Sequence, residues 1–189
     1  MSPDQSIEEL RKEVRYVRDR LDIQDCLMRH CRGVDRHDAE LMASCYHADA
    51  VIKHANRDQL ITGSEYGEWS NAAHAGGRFA LHSHQITNIN CELDGDVAYC
   101  ESYVLTLFLS ADEQTTAIVA GRYLDRFERR DGVWKIAVRR AFLDLAGDAP
   151  ATYMGHARAK PIDPTQFWTR ADLSYQRPYD LDAPAPQWT

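Results

Sequence analysis

Residues Ile23 to Ala50 read IQDCLMRHCRGVDRHDAELMASCYHADA, and the punctuation of this stretch organises the chain. Apolar residues at Ile7, Leu10, Val14, Val17, Leu21, Ile23, Leu27 and Met28 recur in steps of three and four, which predicts an amphipathic helix over 6–31. Ser6 with Glu9 three residues on reads as a capping box at its start. Glu8, Arg11, Lys12, Arg15, Arg18 and Asp19 form its solvated face. Gly33 stops the helix in the manner of a C-terminal glycine. Asp35 then falls just past the break. Asp38 is placed to cap a second, short helix over Ala39–Tyr46.

Working outward, the pattern changes after that helix. Ala50–His54 reads as a short strand and Gly63–Ala75 as a helix with Trp69 on its inner side. Gly76-Gly77 is a turn. Four strand-like runs follow, at Arg78–Leu93, Val97–Ser110, Thr115–Arg129 and Val133–Asp144. Asp94-Gly95-Asp96 and Asp131-Gly132 are hairpin turns between them. Helices followed by an antiparallel meander make an α+β fold. A long curved sheet around a helix pair encloses a cone with one open end, a natural small-molecule site. The expected division is a domain over residues 1–147 and a tail over 148–189. The tail carries Pro150, Pro161, Pro164, Pro178, Pro184 and Pro186, which exclude regular helix or central strand. It also carries Tyr153, Phe167, Trp168, Tyr175, Tyr179 and Trp188, so it is expected to dock on its own cone or on a neighbouring subunit.

Composition narrows the function classes. The 189 residues are 44% hydrophobic and 27% charged with a formal charge of -7, an ordinary globular balance. That sign disfavours nucleic acid, whose phosphates need clustered Lys and Arg. No apolar run reaches the roughly 18 residues of a membrane helix, and the charged N-terminus has no signal core. A cytoplasmic protein with no nucleic-acid or membrane partner is expected. Cys26, Cys31, Cys45, Cys91 and Cys100 are odd in number and form no CxxC, so buried free thiols are expected rather than a disulfide framework or structural zinc. No Gly-rich nucleotide loop follows a strand.

Several short motifs together resemble the SnoaL-like branch of the NTF2-like superfamily, whose fold is a cone-shaped α+β barrel. They are Ile23-Gln24-Asp25, Gly33-Val34-Asp35, Tyr46-His47-Ala48-Asp49-Ala50, His84-Gln85-Ile86-Thr87-Asn88, Gly121-Arg122-Tyr123 and the run Arg129 to Ile136. The resemblance spans about residues 5 to 145. It is nearest to the lindane dehydrochlorinase, scytalone dehydratase and diarylpropane lyase types. It implies a cofactor-independent enzyme acting on a small molecule, and self-association as a dimer or trimer. In the dehydrochlorinase pattern an Asp after the first helix partners a His opening an H-x-x-T-N strand motif. Those positions are Asp35 and His84 here. The basic residue five before the Asp is His30, where the pattern has lysine. The basic residue five after the last-strand Trp is Arg139, with Arg140 beside it.

A carboxylate on the far nitrogen of an imidazole fixes its tautomer and stabilises the imidazolium that forms. His84 with Asp35 is therefore a candidate general base for elimination: dehydration, dehydrohalogenation or deformylation. Isomerisation or cyclisation, and ligand binding without turnover, are the alternatives. Arg139 and His30 are candidates for stabilising negative charge. Tyr46, His54, Trp69, His82, Tyr103 and Phe142 are candidate substrate contacts. His37, His47, His74 and His156 are expected at the surface. His82 and His84 alternate on one strand face, so with Asp35 or His54 they also form a candidate metal set. No metal or other cofactor is expected.

Overall fold

The computed structural model describes residues 3–55, 58–151, 168–170, 172–179 and 182. Helix α1 runs Pro3–Asp35, straight through Gly33. The expected stop at Gly33 and the expected start at Ser6 are both wrong, because Ser6 and Glu9 lie inside the helix. Gly33 is small for packing rather than for termination: a Cβ there would stand 2.7 Å from Met42 Cγ. The helix ends two residues on, at Asp35, and the left-handed residue that closes it is His37. Asp38 N–H donates to Gly33 O at 2.9 Å and His37 N–H to Val34 O at 3.2 Å, with His37 left-handed at φ 50. This is a Schellman closure with histidine where glycine is usual.

Only part of the α1 stripe is covered. Ile23, Cys26, Leu27, Cys31 and Val34 are buried, whereas Ile7, Leu10, Val14, Val17 and Leu21 are at least half exposed. Helix α2 spans Ala39–Ser44, and Asp38 caps it by accepting the Leu41 N–H at 3.0 Å. Tyr46 opens strand β1, Tyr46–Lys53, so it belongs to the sheet and not to the second helix. Strand β2 is Leu60–Thr62 and helix α3 is Tyr66–Ala75. The meander is β3 Phe79–Asp94, β4 Val97–Ser110, β5 Thr115–Arg130 and β6 Val133–Pro150. The last strand continues past the domain limit expected at residue 147.

The six strands lie in the order β2-β1-β6-β5-β4-β3, antiparallel except for the parallel β1–β6 pair. With the N-terminal helices against its inner face, this is the expected cone-shaped α+β barrel. α1 packs its buried residues into one core with β1, β3 and β6, around Tyr46, Ile52, Phe127, Trp134 and Ile136. Alternation along β4 turns Ser102, Val104 and Thr106 inward and Tyr103, Leu105 and Leu107 outward. At Gly121 the β5–β6 register shifts, and a side chain there would collide with the Phe142 carbonyl oxygen.

The cysteines divide differently from expectation. Cys91 and Cys100 sit opposite each other on β3 and β4 and form a disulfide, while Cys26, Cys31 and Cys45 are buried and free. Of the tail aromatics, Trp168 and Tyr175 pack on the chain's own α1–α2 junction. Trp168 stacks on His37 with ring centres 4.1 Å apart, and the Tyr175 hydroxyl donates to Asp38 at 2.9 Å. Tyr153, His156, Phe167 and Trp188 lie outside the described residues. Among the described residues no helix is long and apolar enough to cross a membrane.

Candidate active site

A cavity of about 620 Å³ lies between helix α3 and strands β3 to β6. Its wall is mostly aromatic and aliphatic: Tyr66 and Trp69 from α3, Val104 and Phe108 from β4, Val119 and Tyr123 from β5. Polar groups are few, as in most ligand pockets. They include His54, His74, His84 and Thr106.

Asp35 and His84, 49 residues apart, meet behind this wall. Asp35 ends α1, and its Oδ1 accepts from His84 Nδ1 at 2.7 Å. The backbone N–H of His84 donates to both carboxylate oxygens at 3.0 Å. Both side chains are largely buried, 15% exposed for Asp35 and 9% for His84. Burial pushes the Asp35 carboxyl upward, but the hydrogen bonds from His82 and His84 outweigh it and hold the group below its ordinary value. The carboxylate is thus ionised and aimed at Nδ1. A proton on Nδ1 leaves the lone pair of His84 on Nε2, and His84 is the member of the pair that lines the cavity.

A second buried network stands one layer back. Arg139 gives Nε and Nη2 to the two oxygens of Asp125, each at 2.7 Å, with the side chains 1% and 0% exposed. Its Nη1 donates to the Tyr46 hydroxyl at 3.0 Å. Because Tyr46 accepts there, its own proton is free for His30 Nδ1 at 3.2 Å. Burial holds His30 well below the usual imidazole range, with Arg139 adding to the effect, so its ring is neutral. The Arg139 guanidinium also lies 4.0 Å over the Tyr123 ring, which does line the cavity.

This geometry sorts the expected residues. His54, Trp69 and His84 line the cavity. Asp35 and His82 stand behind His84, with His82 Nδ1 3.4 Å from Asp35 Oδ1. Arg139 rather than Arg140 points inward; Arg140 is exposed. Arg139, His30 and Tyr46 are corrected from cavity contacts to buried supports, since Asp125 already answers the arginine's charge. Tyr103 is corrected outright: strand alternation turns it to solvent, 44% exposed. Phe142 also lines the cavity, with the Arg122 guanidinium 5.7 Å over its ring. His74, expected at the surface, lines the cavity, and burial together with His82 and His84 lowers it to about 3. His37 is half-buried against His82, and His47 is buried with its ring on the Glu128 carbonyl at 3.0 Å.

Sequence reasoning missed Tyr66, Tyr123, Phe108 and Asp125. The signal for Asp125 was its place in the inward period-two set Gly121, Tyr123, Asp125, Phe127, where a charge demands a partner. One donor of each of Asp35, His82 and His84 lies within 4.8 Å of the others, a spacing a metal ion could use. An ion bound through His84 Nδ1, the nitrogen 2.7 Å from Asp35 Oδ1, would displace its proton and break the His–Asp hydrogen bond.

A family model described as a SnoaL-like domain matches residues 15–140. Many solved structures are similar, among them the following three. Hexachlorocyclohexane dehydrochlorinase LinA-type3 from Novosphingobium barchaimii is 23% identical over 72% of this chain and 94% of its own, with a TM-score of 0.66. A scytalone dehydratase candidate from Novosphingobium aromaticivorans is 23% identical over 73% and 91%, with a TM-score of 0.63. A protein of unknown function from Mycobacterium tuberculosis is 29% identical over 76% and 77%, with a TM-score of 0.58. The first two likenesses bear on the fold alone. A sequence comparison with curated proteins finds no match.

Proposed function

The chain belongs to the SnoaL-like domain family, and from that premise we propose that it is a cofactor-independent lyase for a small, largely apolar aromatic substrate. The observation that carries the reading is the 2.7 Å contact between His84 Nδ1 and Asp35, with His84 at the cavity wall. His84 Nε2 takes a proton from substrate carbon, and the C–H electron pair becomes the new π-bond. The leaving group departs with its own bonding pair from the neighbouring carbon. Halide leaves unaided, whereas hydroxide needs a proton to leave as water. In deformylation the proton comes from a hydroxyl, and the O–H electron pair becomes the C=O bond of the released formaldehyde. The broken C–C pair becomes the new π-bond as the leaving group departs from the neighbouring carbon with its own bonding pair. Asp35 holds the ring and offsets the imidazolium charge.

Tyr66 and Tyr123 are the cavity hydroxyls suited to meet negative charge developing on the substrate. Burial lifts Tyr66 to about 12 and raises Tyr123 as well, so both stay protonated and able to donate. His54 and Thr106 are further lining groups that can donate a hydrogen bond. The aromatic wall, rather than any single polar contact, favours a ring-bearing substrate. The protein is a homo-oligomer in this reading, and the bare apolar stripe of Ile7, Leu10, Val14, Val17 and Leu21 is the surface that favours it.

The test is a screen of halogenated, hydroxylated and hydroxymethyl aromatics, read as loss of hydrogen halide, water or formaldehyde by mass. With a substrate in hand, His84→Ala abolishes turnover while circular dichroism stays native. A His84→Ala protein that turned over at the wild-type rate would remove the base from the scheme. Binding without any mass change across the screen would favour a ligand carrier.

A further inference from the structure

We propose that His82 is a positioning residue for the Asp35–His84 pair, and that the C-terminal segment reaches the reactive centre through it. The inference rests on the reading of His84 as the base. His82 and His84 are two apart on β3 and share a face. The His82 side chain is fully buried, and its Nδ1 stands 3.4 Å from Asp35 Oδ1, the oxygen that also accepts from His84. That nitrogen completes no hydrogen bond of good geometry among the described residues, and the Asp35 carboxylate is the acceptor it faces.

Its other nitrogen is fixed from behind. His82 Nε2 lies 2.9 Å from His37 Nε2, so one ring donates and the other accepts. Only one assignment suits the carboxylate: His82 carries its proton on Nδ1, facing Asp35, and His37 donates to His82 Nε2. The opposite tautomer would aim a lone pair at an anion. His37 occupies the left-handed closing position of α1, where glycine is unstrained and histidine is not. It is stacked flat under Trp168, at an interplanar angle of 9°. The Trp168 segment is tied down beside it by Arg170 on Asp38 at 3.0 Å and by Arg36 on Asp172 at 3.4 Å.

Two donors on one oxygen divide its charge. Without His82, more of the Asp35 charge is left for His84, which then holds its proton more tightly. The groups facing His82 are Asp35, Arg36 and His37 at the end of α1, His74 from α3, His84 on its own strand, Phe108 from β4 and Trp168. None but His37 both meets Nε2 and can fix the tautomer. His84 itself faces Asp35, His74, His82 and Phe108.

The test is a pH titration of the full-length protein labelled with nitrogen-15 in histidine, followed by nuclear magnetic resonance, which needs no substrate. In His82→Phe the His84 midpoint rises by about half a pH unit or more. His82→Asn, whose amide nitrogen stands near the place of Nδ1, returns the midpoint toward wild type. His37→Gly suits the backbone, so its melting temperature equals or exceeds wild type while His84 still moves upward. A His84 midpoint unchanged in both His37→Gly and His82→Phe overturns the proposal, and where His82→Phe does not fold an unchanged midpoint in His37→Gly overturns it by itself. Failure of the base reading shows elsewhere, as undiminished turnover by His84→Ala.

Discussion

Replacing Asp125 or Arg139 measures how firmly the inner network is sealed. The two side chains are 0% and 1% exposed and share two hydrogen bonds of 2.7 Å. Asp125→Leu leaves a buried guanidinium with only the Tyr46 hydroxyl, and Arg139→Met leaves a buried carboxylate with no cation. Breaking such a pair from one side costs about 3–5 kcal/mol. Removing both charges is different, because apolar residues of similar volume replace a buried pair at little or no net cost. The double variant Asp125→Leu/Arg139→Met is therefore expected within about 1–2 kcal/mol of wild type. Tyr46 loses one donor in it but still bonds His30. Urea unfolding followed by tryptophan fluorescence reports this, Trp134 being 2% exposed in the same core. With a slope of about 2 kcal/mol per molar urea, each single variant shifts the midpoint down by roughly 1.5–2.5 M. Single variants that each cost under about 1 kcal/mol, or a double variant that costs their sum, would show that water reaches the pair. If the double variant also keeps turnover, Arg139 supports the wall and does not act on substrate.

Burial holds His37 down to about 4 and His74 down to about 3, so the folded state binds fewer protons than the unfolded chain below its ordinary value of about 6.5. Their stabilising contribution is complete above that value and is lost as pH falls toward 4 and 3. Asp35, also held low, adds a loss of the same sign near its own depressed value. The melting temperature should drop from pH 7 to pH 4, and His74→Phe should flatten the drop; a flat wild-type curve would contradict the burial of both rings. Gly33→Ala should destabilise by about 1 kcal/mol, because crowding of Met42 outweighs the gain in helix propensity; a higher melting temperature would show that α2 yields. Added zinc should raise the melting temperature and abolish turnover by taking the His84 Nδ1 position, with His82→Asn weakening both effects. Elemental analysis of the purified protein should find no stoichiometric metal.

Much of this architecture was legible in the residues. The period-two runs and the turns at Gly95 and Gly132 located the four long strands to within a few residues at most ends. Asp38 as a cap followed from local chemistry, whereas the choice between Arg139 and Arg140 stayed open in the sequence and was made by the fold, which buries Arg139. The errors have a common cause, which is that tertiary packing decides what local pattern leaves open. Gly33 resembles a stop until Met42 is packed against it. The stripe of Leu10, Val14 and Val17 resembles a core face, yet it stays more than half exposed among the described residues. Tyr103 shows how little is needed to misplace a side chain: a strand residue one position off faces the other side of the sheet. His74 and His37 looked solvated because nothing near them in sequence reveals that α3 and the α1 elbow close over β3.

The position of charge explains why this arrangement suits a base. The chain carries 29 Asp and Glu, yet among the described residues no carboxylate lines the cavity. Asp35 and Asp125 both stand behind the wall, the first facing an imidazole and the second a guanidinium. A carboxylate in the cavity itself would repel negative charge developing on the substrate. The same carboxylate placed behind His84 acts only through the ring, where it favours proton capture. Among the described residues Arg78 is the one permanently charged residue of the wall, exposed immediately before β3 with its guanidinium 5.3 Å over the Phe79 ring. Substrate charge therefore meets a cation at the mouth and neutral hydroxyls deeper in. Arg78→Gln should raise KM for carboxylate-bearing aromatics about tenfold and leave neutral ones unchanged, as expected for one partly exposed charge-assisted contact worth roughly 1.4 kcal/mol. Equal effects on both substrate classes would show that Arg78 shapes the mouth without reading charge.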